Sequence, residues 1–268
     1  SVMYIRSDWL EQVNMDVPET IEELEQVMDA FVHQDPNNSG ADDTFALSIG
    51  LRNGDGTGIG TSADASWVYG AYGAMPGIWM ENDEEELEYG SIQPEVKDAL
   101  AKLREWKEKG YIHDEVGLHD GDDAYEHFLA GRSGIIFGAP WNIVWPIPGL
   151  VENVPDSEYK VAKLPLGPDG TSGRIGNLFI KGMILFNKDF ENMDAFFLYY
   201  NNLFEYWNPD NPKFQHGYFD GYDYAIVDGE VVNGDDIPGG QISVHHYFLN
   251  NSERPILPYQ YQDTMTLL

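Results

Sequence analysis

Apolar positions recur with a helical period in several stretches of the chain. The clearest stretch follows Thr20, and its apolar positions predict one buried helix face: Ile21, Leu24, Val27, Met28 and Phe31. Thr20 and Glu23 have the spacing of a capping box, in which their side chains bond free N–H groups of the first turn. Similar patterns predict helices over about 94–110 and 122–130.

Short apolar runs lie between these helices and predict buried strands over 44–49, 133–137, 159–164 and 181–187. An aromatic-rich helix is predicted over 192–206, and a hairpin over 225–232 because Asp-Gly stands at its centre. Helices that alternate with short buried strands predict an α/β fold. The glycine-rich stretch 54–60 has neither the spacing of a dinucleotide fingerprint nor that of a phosphate-binding loop.

The composition allows a folded protein, disfavours anionic partners and excludes chemistry that needs cysteine. The 268 residues are 42% hydrophobic and 13% aromatic, which is enough for a sizeable core. Fifteen Lys and Arg against 46 Asp and Glu give a net charge of −31, which disfavours nucleic acid and anionic membrane surfaces. The chain has no cysteine, so disulfides, thiolate zinc sites and cysteine nucleophiles are excluded.

A polar loop after the first predicted helix has the spacing of an EF-hand-type calcium loop. Side-chain oxygens fall at positions 1, 3, 5 and 9 of that loop, and these residues are Asp35, Asn37, Ser39 and Asp43. Position 7 is Ala41, which contributes its backbone carbonyl, and position 6 is the turn glycine, Gly40. Ala46 replaces the bidentate Glu of position 12, which argues against a calcium switch. A static calcium site and an ordinary Asp/Asn turn both fit this pattern.

Aromatic side chains predict a surface that binds carbohydrate. Trp67 and Trp79 lie in a glycine-rich, loop-like stretch, and Trp141 and Trp145 lie in a proline-broken segment directly after the strand predicted over 133–137. Side chains just beyond strand ends often line a ligand crevice in α/β proteins. Indole faces can stack on the apolar faces of sugar rings. For each tryptophan taken singly, core packing is the alternative.

Catalytic motifs give little support for an enzyme. The sequence has no Gly-x-Ser-x-Gly elbow and no His-Glu-x-x-His zinc helix. Its many carboxylates make accidental pairs inevitable, so a glycosidase pair cannot be identified from spacing. His113, His119 and His127 are expected to be surface residues. The adjacent His245 and His246 would point to opposite faces of a strand.

Five phrases of the sequence resemble the family 1 extracellular solute-binding proteins of ABC sugar importers, and especially their long lipoprotein branch with alginate-oligosaccharide binders. These phrases are 4–10 (Tyr-Ile-Arg-Ser-Asp-Trp-Leu), 17–24 (Val-Pro-Glu-Thr-Ile-Glu-Glu-Leu), 89–96 (Tyr-Gly-Ser-Ile-Gln-Pro-Glu-Val), 130–136 (Ala-Gly-Arg-Ser-Gly-Ile-Ile) and the Pro-Trp and Trp-Pro pairs of 140–146. The resemblance implies a type II periplasmic-binding-protein-like α/β fold, in which two lobes close over a sugar. Residues 1–163 would be mainly the second lobe, and 164–268 a crossover segment with the remaining helices and hairpin.

The resemblance also implies a function and its site residues. It implies a monomer that captures an oligosaccharide outside the cell, performs no chemistry and delivers the sugar to an ABC permease. Its anchor would be a lipidated N-terminal cysteine that this chain does not include. The ligands of a structural Ca²⁺ would be Asp35, Asn37, Ser39, Ala41 and Asp43, and Trp141 would stack on the sugar, with Trp145 and Arg174 as further crevice residues. A calcium-stabilised polysaccharide hydrolase and a sugar-sensing or adhesion module remain alternatives.

Overall fold

The structure is a computed structural model that describes residues 1–41, 44–52, 63–81, 85–173, 184–205, 216, 219–232 and 234–240. The chain divides into two compact units, Ser1–Leu178 with Asp263–Leu268, and Phe179–Gln262. None of the described helices has both the length and the apolar content of a bilayer span. The lobe boundary near residue 164 stays a prediction.

The first unit alternates helices and strands, which confirms the predicted α/β class. Its elements are β1 (Val2–Arg6), α1 (Ser7–Val13), α2 (Ile21–His33), β2 (Phe45–Ser48), α3 (Ser66–Ala71), β3 (Trp79–Glu81), β4 (Leu87–Tyr89), α4 (Glu95–Glu108), α5 (Gly121–Leu129), β5 (Ser133–Gly138), α6 (Gly149–Asn153) and β6 (Tyr159–Ala162). In the second unit, the structure describes α7 (Met193–Glu205) and the hairpin of β7 (Ala225–Val227) and β8 (Glu230–Val232).

A four-stranded sheet in the order β2-β5-β1-β6 forms the centre of the first unit. Strand β5 pairs in parallel with β2 and antiparallel with β1, where Met3 lies opposite Phe137. Strand β6 pairs antiparallel with the other edge of β1. The first strand of the chain is therefore an inner strand of the sheet, and it contributes to the core on both of its faces.

Helices cover both faces of this sheet. Alternate residues of β1 join two different clusters, because successive side chains of a strand point to opposite faces. Met3 and Ile5 pack with α1, α2, α3 and α4, whereas Val2 and Tyr4 pack with α5 and α6. Strands β1, β2 and β5 are consequently buried at every residue, as expected for a sheet between two helical layers.

Helix α2 begins as its sequence predicts. The five apolar side chains of its predicted face are all buried. The Glu23 N–H donates to Oγ1 of Thr20 at 3.2 Å, and the Glu19 N–H donates to Oε2 of Glu23 at 2.8 Å. The Glu23 carboxylate thus accepts a hydrogen bond from Glu19, the residue before the cap. Main-chain hydrogen bonds also connect Glu19 and Ile21 to Leu166. Capping and main-chain pairing together fix the start of the helix.

The other predicted elements agree with the structure in part. The strands predicted over 44–49, 133–137 and 159–164, the helices and the Asp-Gly hairpin are confirmed. Residues 184–187 are not in a strand, and 181–183 lie outside the described residues. The loop-like stretch that holds Trp67 contains helix α3. The apolar spacing of α4 would place Leu100 on its buried face, but this side chain is half exposed.

Candidate functional site

Trp141 and Trp145 lie directly after β5, where the sequence analysis placed a ligand crevice. A 3-10 turn over Pro140–Ile143 carries Trp141, and the chain then turns at Trp145 and enters α6. The two side chains are 48% and 69% exposed, although Asn142 between them is buried and Ile143 packs against the core. Exposed indoles of this kind can present a flat apolar surface to a ligand.

Hydrogen bonds from buried residues hold the segment that carries these tryptophans. The Tyr4 hydroxyl, from β1, donates to the carbonyl of Ala139 at 2.8 Å. Buried Asn142 donates from its side chain to the carbonyl of Trp145 at 3.3 Å. Gly138 makes room for this arrangement, because a Cβ atom there would lie 2.7 Å from Oδ1 of Asn142. The main chain on either side of Trp141 is therefore held by hydrogen bonds from two buried residues.

A second exposed aromatic pair lies on the β3–β4 hairpin. Trp79 lies opposite Tyr89 in the register of the two strands, and their ring centroids are 5.4 Å apart. The Trp79 side chain is 65% exposed. The Gly90 N–H donates to the carbonyl of Ile78 at 2.8 Å and continues the pairing beyond the strand. This pair offers a second surface suited to stacking.

The remaining two predicted ligand contacts are Trp67, which lies in the core, and Arg174. Trp67 is 1% exposed and stacks between Phe137 of β5 and Trp106 of α4, with ring centroids at 3.7 and 5.8 Å. Its position gives it a role in core packing, the alternative that sequence analysis had left open. Arg174 lies outside the described residues.

The predicted calcium loop folds around Asp35. The Ser39 N–H donates to Oδ1 of Asp35 at 3.0 Å and to Oδ1 of Asn37 at 3.2 Å, and the Gly40 N–H donates to Oδ2 of Asp35 at 2.9 Å. Asp35 and Gly40 both have positive φ angles, which gives the loop its sharp turn. Side-chain oxygens of Asp35, Asn37 and Ser39 thus lie around one short turn. Asp43 lies outside the described residues.

Three histidines form a cluster that sequence analysis did not predict. The rings of His113, His119 and His127 lie with centroids 4.7, 5.0 and 4.9 Å apart, and Phe45 packs edge-on against His113 and His127. Burial, followed by the neighbouring His119 and His113, lowers the pKa of His127. The residues come from the α4–α5 connection and from α5, so their spacing in the sequence gave no signal.

Comparison with known proteins finds similarity to sugar-binding proteins over part of the chain. No family model matches the chain. Over 173 residues it is 31% identical to the polygalacturonan/rhamnogalacturonan-binding protein YtcQ of Bacillus subtilis, a match that covers 62% of this chain and 31% of that protein. It is 28% identical to lipoprotein LipO of Bacillus subtilis, over 50% of this chain and 26% of LipO. It is 26% identical to the fructooligosaccharide ABC transporter substrate-binding protein FusA of Streptococcus pneumoniae, over 62% of this chain and 29% of FusA.

Solved structures show the same fold. A FusA EF-hand mutant in complex with fructo-nystose superimposes with a TM-score of 0.52 at 21% identity, over 66% of this chain and 34% of that one. The alginate-binding protein AlgQ2 without calcium ion gives 0.54 at 16% identity, over 92% of this chain and 49% of that one. The matches cover only 26–31% of the length of these curated relatives. It is therefore similar, over part of its length, to sugar-binding proteins that include an ABC transporter substrate-binding protein, and it has the periplasmic-binding-protein-like α/β fold of the solved structures.

Proposed function

We propose that this chain is a lobe of an extracellular solute-binding protein that captures an oligosaccharide for an ABC importer and performs no chemistry. The observation that carries the proposal is the exposed pair Trp141 and Trp145 after the inner strand β5, in a chain whose relatives bind polysaccharides or oligosaccharides. Ligand would select the closed form of the two lobes, and that form would dock on the permease.

The support beneath Trp141 favours binding without a large loss of entropy. Hydrogen bonds from Tyr4 and Asn142 hold the main chain on either side of Trp141 before a ligand arrives. A site that is already ordered has less conformational freedom to lose, which improves affinity. A sugar ring can therefore stack on Trp141, with Trp145 beside it, and the Trp79–Tyr89 pair offers a further stacking surface.

Charge favours a neutral or amino sugar over an acidic one. The net charge of −31 repels polyanions unless local cations offset it. Of the arginines that could do so, Arg52 forms an ion pair with Asp120 at 2.7 Å. The main chain of Arg132 bonds the carbonyl of His127, which places it beside the histidine cluster. We therefore expect neutral oligosaccharides to bind more tightly than uronates.

A tryptophan-fluorescence titration against neutral, amino and uronic oligosaccharides tests this function. We expect a saturable spectral change, strongest for a neutral or amino sugar, and recovery of the intact sugar by chromatography after each titration. Shortened sugar would contradict a non-catalytic role and favour a hydrolase. Absence of any response across the panel would contradict sugar capture by this chain.

We further propose that the loop around Asp35 binds a structural Ca²⁺. The donor set fits this ion, because Ca²⁺ takes oxygen ligands from carboxylates, amides and carbonyls. Asp35, Asn37 and Ser39 would provide side-chain oxygens, Ala41 its carbonyl and Asp43 a second carboxylate. One solved structure of FusA is described as an EF-hand mutant, which supports the proposal of a calcium loop. The ion would neutralise these carboxylates and fix the connection from α2 to β2.

Calcium titration of the Asp35→Asn variant tests this site. We expect Ca²⁺ to raise the melting temperature of the unaltered chain and to have little effect on the variant, which lacks the central carboxylate. Asp16→Asn, a change well before the loop, is the matched control and should respond like the unaltered chain. An equal response from Asp35→Asn would contradict calcium binding in the loop.

We also infer a location and partners from the relatives. LipO is named a lipoprotein and FusA an ABC transporter substrate-binding protein. The whole protein would therefore work outside the cell as a monomer, anchored to the membrane through a lipidated cysteine and delivering its ligand to a permease. Fractionation of cells that produce the full-length protein tests this location: membrane-bound, protease-accessible protein supports it, and cytoplasmic protein contradicts it.

A further inference from the structure

The geometry of the histidine cluster points to a transition-metal site, and we propose that His113, Glu115, His119 and His127 bind Zn²⁺ or a similar divalent ion. One ligand atom from each of His113, Glu115 and His119 lies within 4.8 Å of the others. The ring of His127 lies 5.0 Å from that of His113 and 4.9 Å from that of His119, on the same cluster. Three imidazoles and one carboxylate match the ligand types and number of a tetrahedral zinc site.

The ligand atoms of His113, Glu115 and His119 need only a small movement to bind an ion. Zn–N and Zn–O bonds of about 2.1 Å in a tetrahedron place ligand atoms about 3.4 Å apart. The observed limit of 4.8 Å shrinks to this value with side-chain shifts of about 1 Å. Glu115 is exposed and can make that shift by rotation of its side chain. Nitrogen donors distinguish this cluster from a calcium site, since Ca²⁺ prefers oxygen alone.

The main chain around the cluster is already fixed. The Arg52 N–H donates to the carbonyl of His119 at 2.8 Å, and the Val116 N–H donates to that of His113 at 3.0 Å. The Arg132 N–H donates to the carbonyl of His127 at 3.0 Å. Phe45, at the start of β2, lies against two of the rings and orients them. An ion would join a cluster whose backbone does not have to rearrange.

Two ring nitrogens of the cluster are able to donate a lone pair to a metal ion. Nδ1 of His127 is buried and has no hydrogen-bond partner in the described part of the chain, a cost that coordination through that nitrogen would remove. The Glu115 N–H donates to Nδ1 of His113 at 3.1 Å, so that nitrogen carries a lone pair. Coordination there exchanges one hydrogen bond for a metal bond. The bound ion would connect the α4–α5 segment to α5.

Competition between the chain and a chromophoric chelator for Zn²⁺ tests the site. The full 268-residue chain is stripped with EDTA and titrated in a large excess of Ca²⁺, which occupies the oxygen loop and the acidic surface. We expect one Zn²⁺ per chain, and His113→Gln and His119→Gln should each weaken binding at least about tenfold. His33→Gln is the matched control, because His33 lies on α2 outside the cluster.

Two further readouts separate loss of the site from loss of the fold. Circular dichroism and melting of the metal-free variants should match the unaltered chain, and Zn²⁺ should raise the melting temperature of the unaltered chain and of His33→Gln only. Co²⁺ should give the visible absorption of a tetrahedral site in those same two proteins. Absence of stoichiometric Zn²⁺ under excess Ca²⁺ would overturn the proposal. Unchanged affinity in both cluster variants would also overturn it.

Discussion

A polar contact inside the first unit makes the most detailed prediction about stability. Oε1 of Glu25, on α2, accepts a hydrogen bond from Nε1 of Trp106 at 2.7 Å and lies 2.8 Å from Nζ of Lys102. Trp106 is fully buried, and the Glu25 and Lys102 side chains are only 20% and 21% exposed. One carboxylate therefore connects two residues of α4 to α2, and we expect Glu25→Ala to destabilise the fold.

The size of the effect follows from the two contacts. Loss of the acceptor leaves the buried N–H of Trp106 unsatisfied, which costs about 1–3 kcal/mol. Loss of the partly exposed ion pair adds up to about 1 kcal/mol. We therefore expect Glu25→Ala to lower the free energy of unfolding by about 2–3 kcal/mol. Glu25→Gln keeps an acceptor for Trp106 and should cost less, about 1 kcal/mol.

Urea denaturation followed by circular dichroism measures these changes. Gln26→Ala is the matched control, because Gln26 is the exposed neighbour on the same helix and such substitutions usually change stability by less than about 0.5 kcal/mol. A double-mutant cycle of Glu25→Gln with Lys102→Met isolates the charge contribution. A Glu25→Ala variant as stable as Gln26→Ala would show that the two contacts of Glu25 do not stabilise the fold.

Two further predictions concern the core and the pH dependence. Gly134→Ala should cost about 1–3 kcal/mol, because a Cβ there would lie 2.4 Å from ring atoms of Phe31 and 2.6 Å from Trp9. Gly117→Ala, whose Cβ would meet nothing within 4 Å, is the control, and equal unfolding midpoints in urea would contradict this reasoning. Hydrogen bonds from Lys109 and Lys102 lower the pKa of Glu105 to about 2. Because that pKa lies below its unfolded value, the bonds stabilise the protein at neutral pH and are lost as the pH falls from about 4.5 to about 2. Glu105→Gln should therefore have a lower free energy of unfolding than the unaltered chain at pH 7. Because the Glu105 side chain is partly exposed, the difference should be less than about 1 kcal/mol, and it should shrink toward pH 3. If the free energies of unfolding in urea differ by the same amount at pH 7 and at pH 3, this prediction is wrong.

Elements that are amphipathic and have a clear end could be predicted from the sequence. Helix α2 has a capping threonine and five buried apolar positions at helical spacing. Helix α4 ends before Gly110, and α5 before Gly131, and both glycines have the positive φ angle that favours glycine after a helix. These signals are local, so one sequence is enough to find them.

Two elements buried on all sides, β1 and α3, escaped prediction, whereas β2 and β5 are equally buried and were predicted as short apolar runs. Strand β1 is buried at each of its five residues, so it lacks the alternation that identifies a half-buried strand. Helix α3 is six residues long and buried throughout, so it has no polar face to produce a helical period. The apolar run that includes 184–187 predicted a strand that these residues do not form, because such a run does not itself determine a pairing partner.

The candidate site shows the same limit. The position of Trp141 after β5 followed from the order of the sequence, and the structure places the residue there. Trp67 was assigned to a loop because the glycines around it obscured α3, and its burial depends on contacts with β5 and α4. The histidine cluster depends on packing around Phe45 from β2, a contact between distant parts of the chain. No spacing rule encodes contacts of that kind.

Calorimetric titration of the Trp141→Ala variant with the best oligosaccharide from the fluorescence panel tests the central claim most directly. Trp141 is half exposed, so the variant should fold like the unaltered chain. We expect its affinity for the sugar to fall about tenfold or more, as for an aromatic residue at the centre of a binding surface. Val151→Ala, an exposed apolar truncation on α6, is the control and should bind as the unaltered chain does. A Trp141→Ala variant that binds sugar as tightly as the control would contradict the claim that this surface captures the ligand.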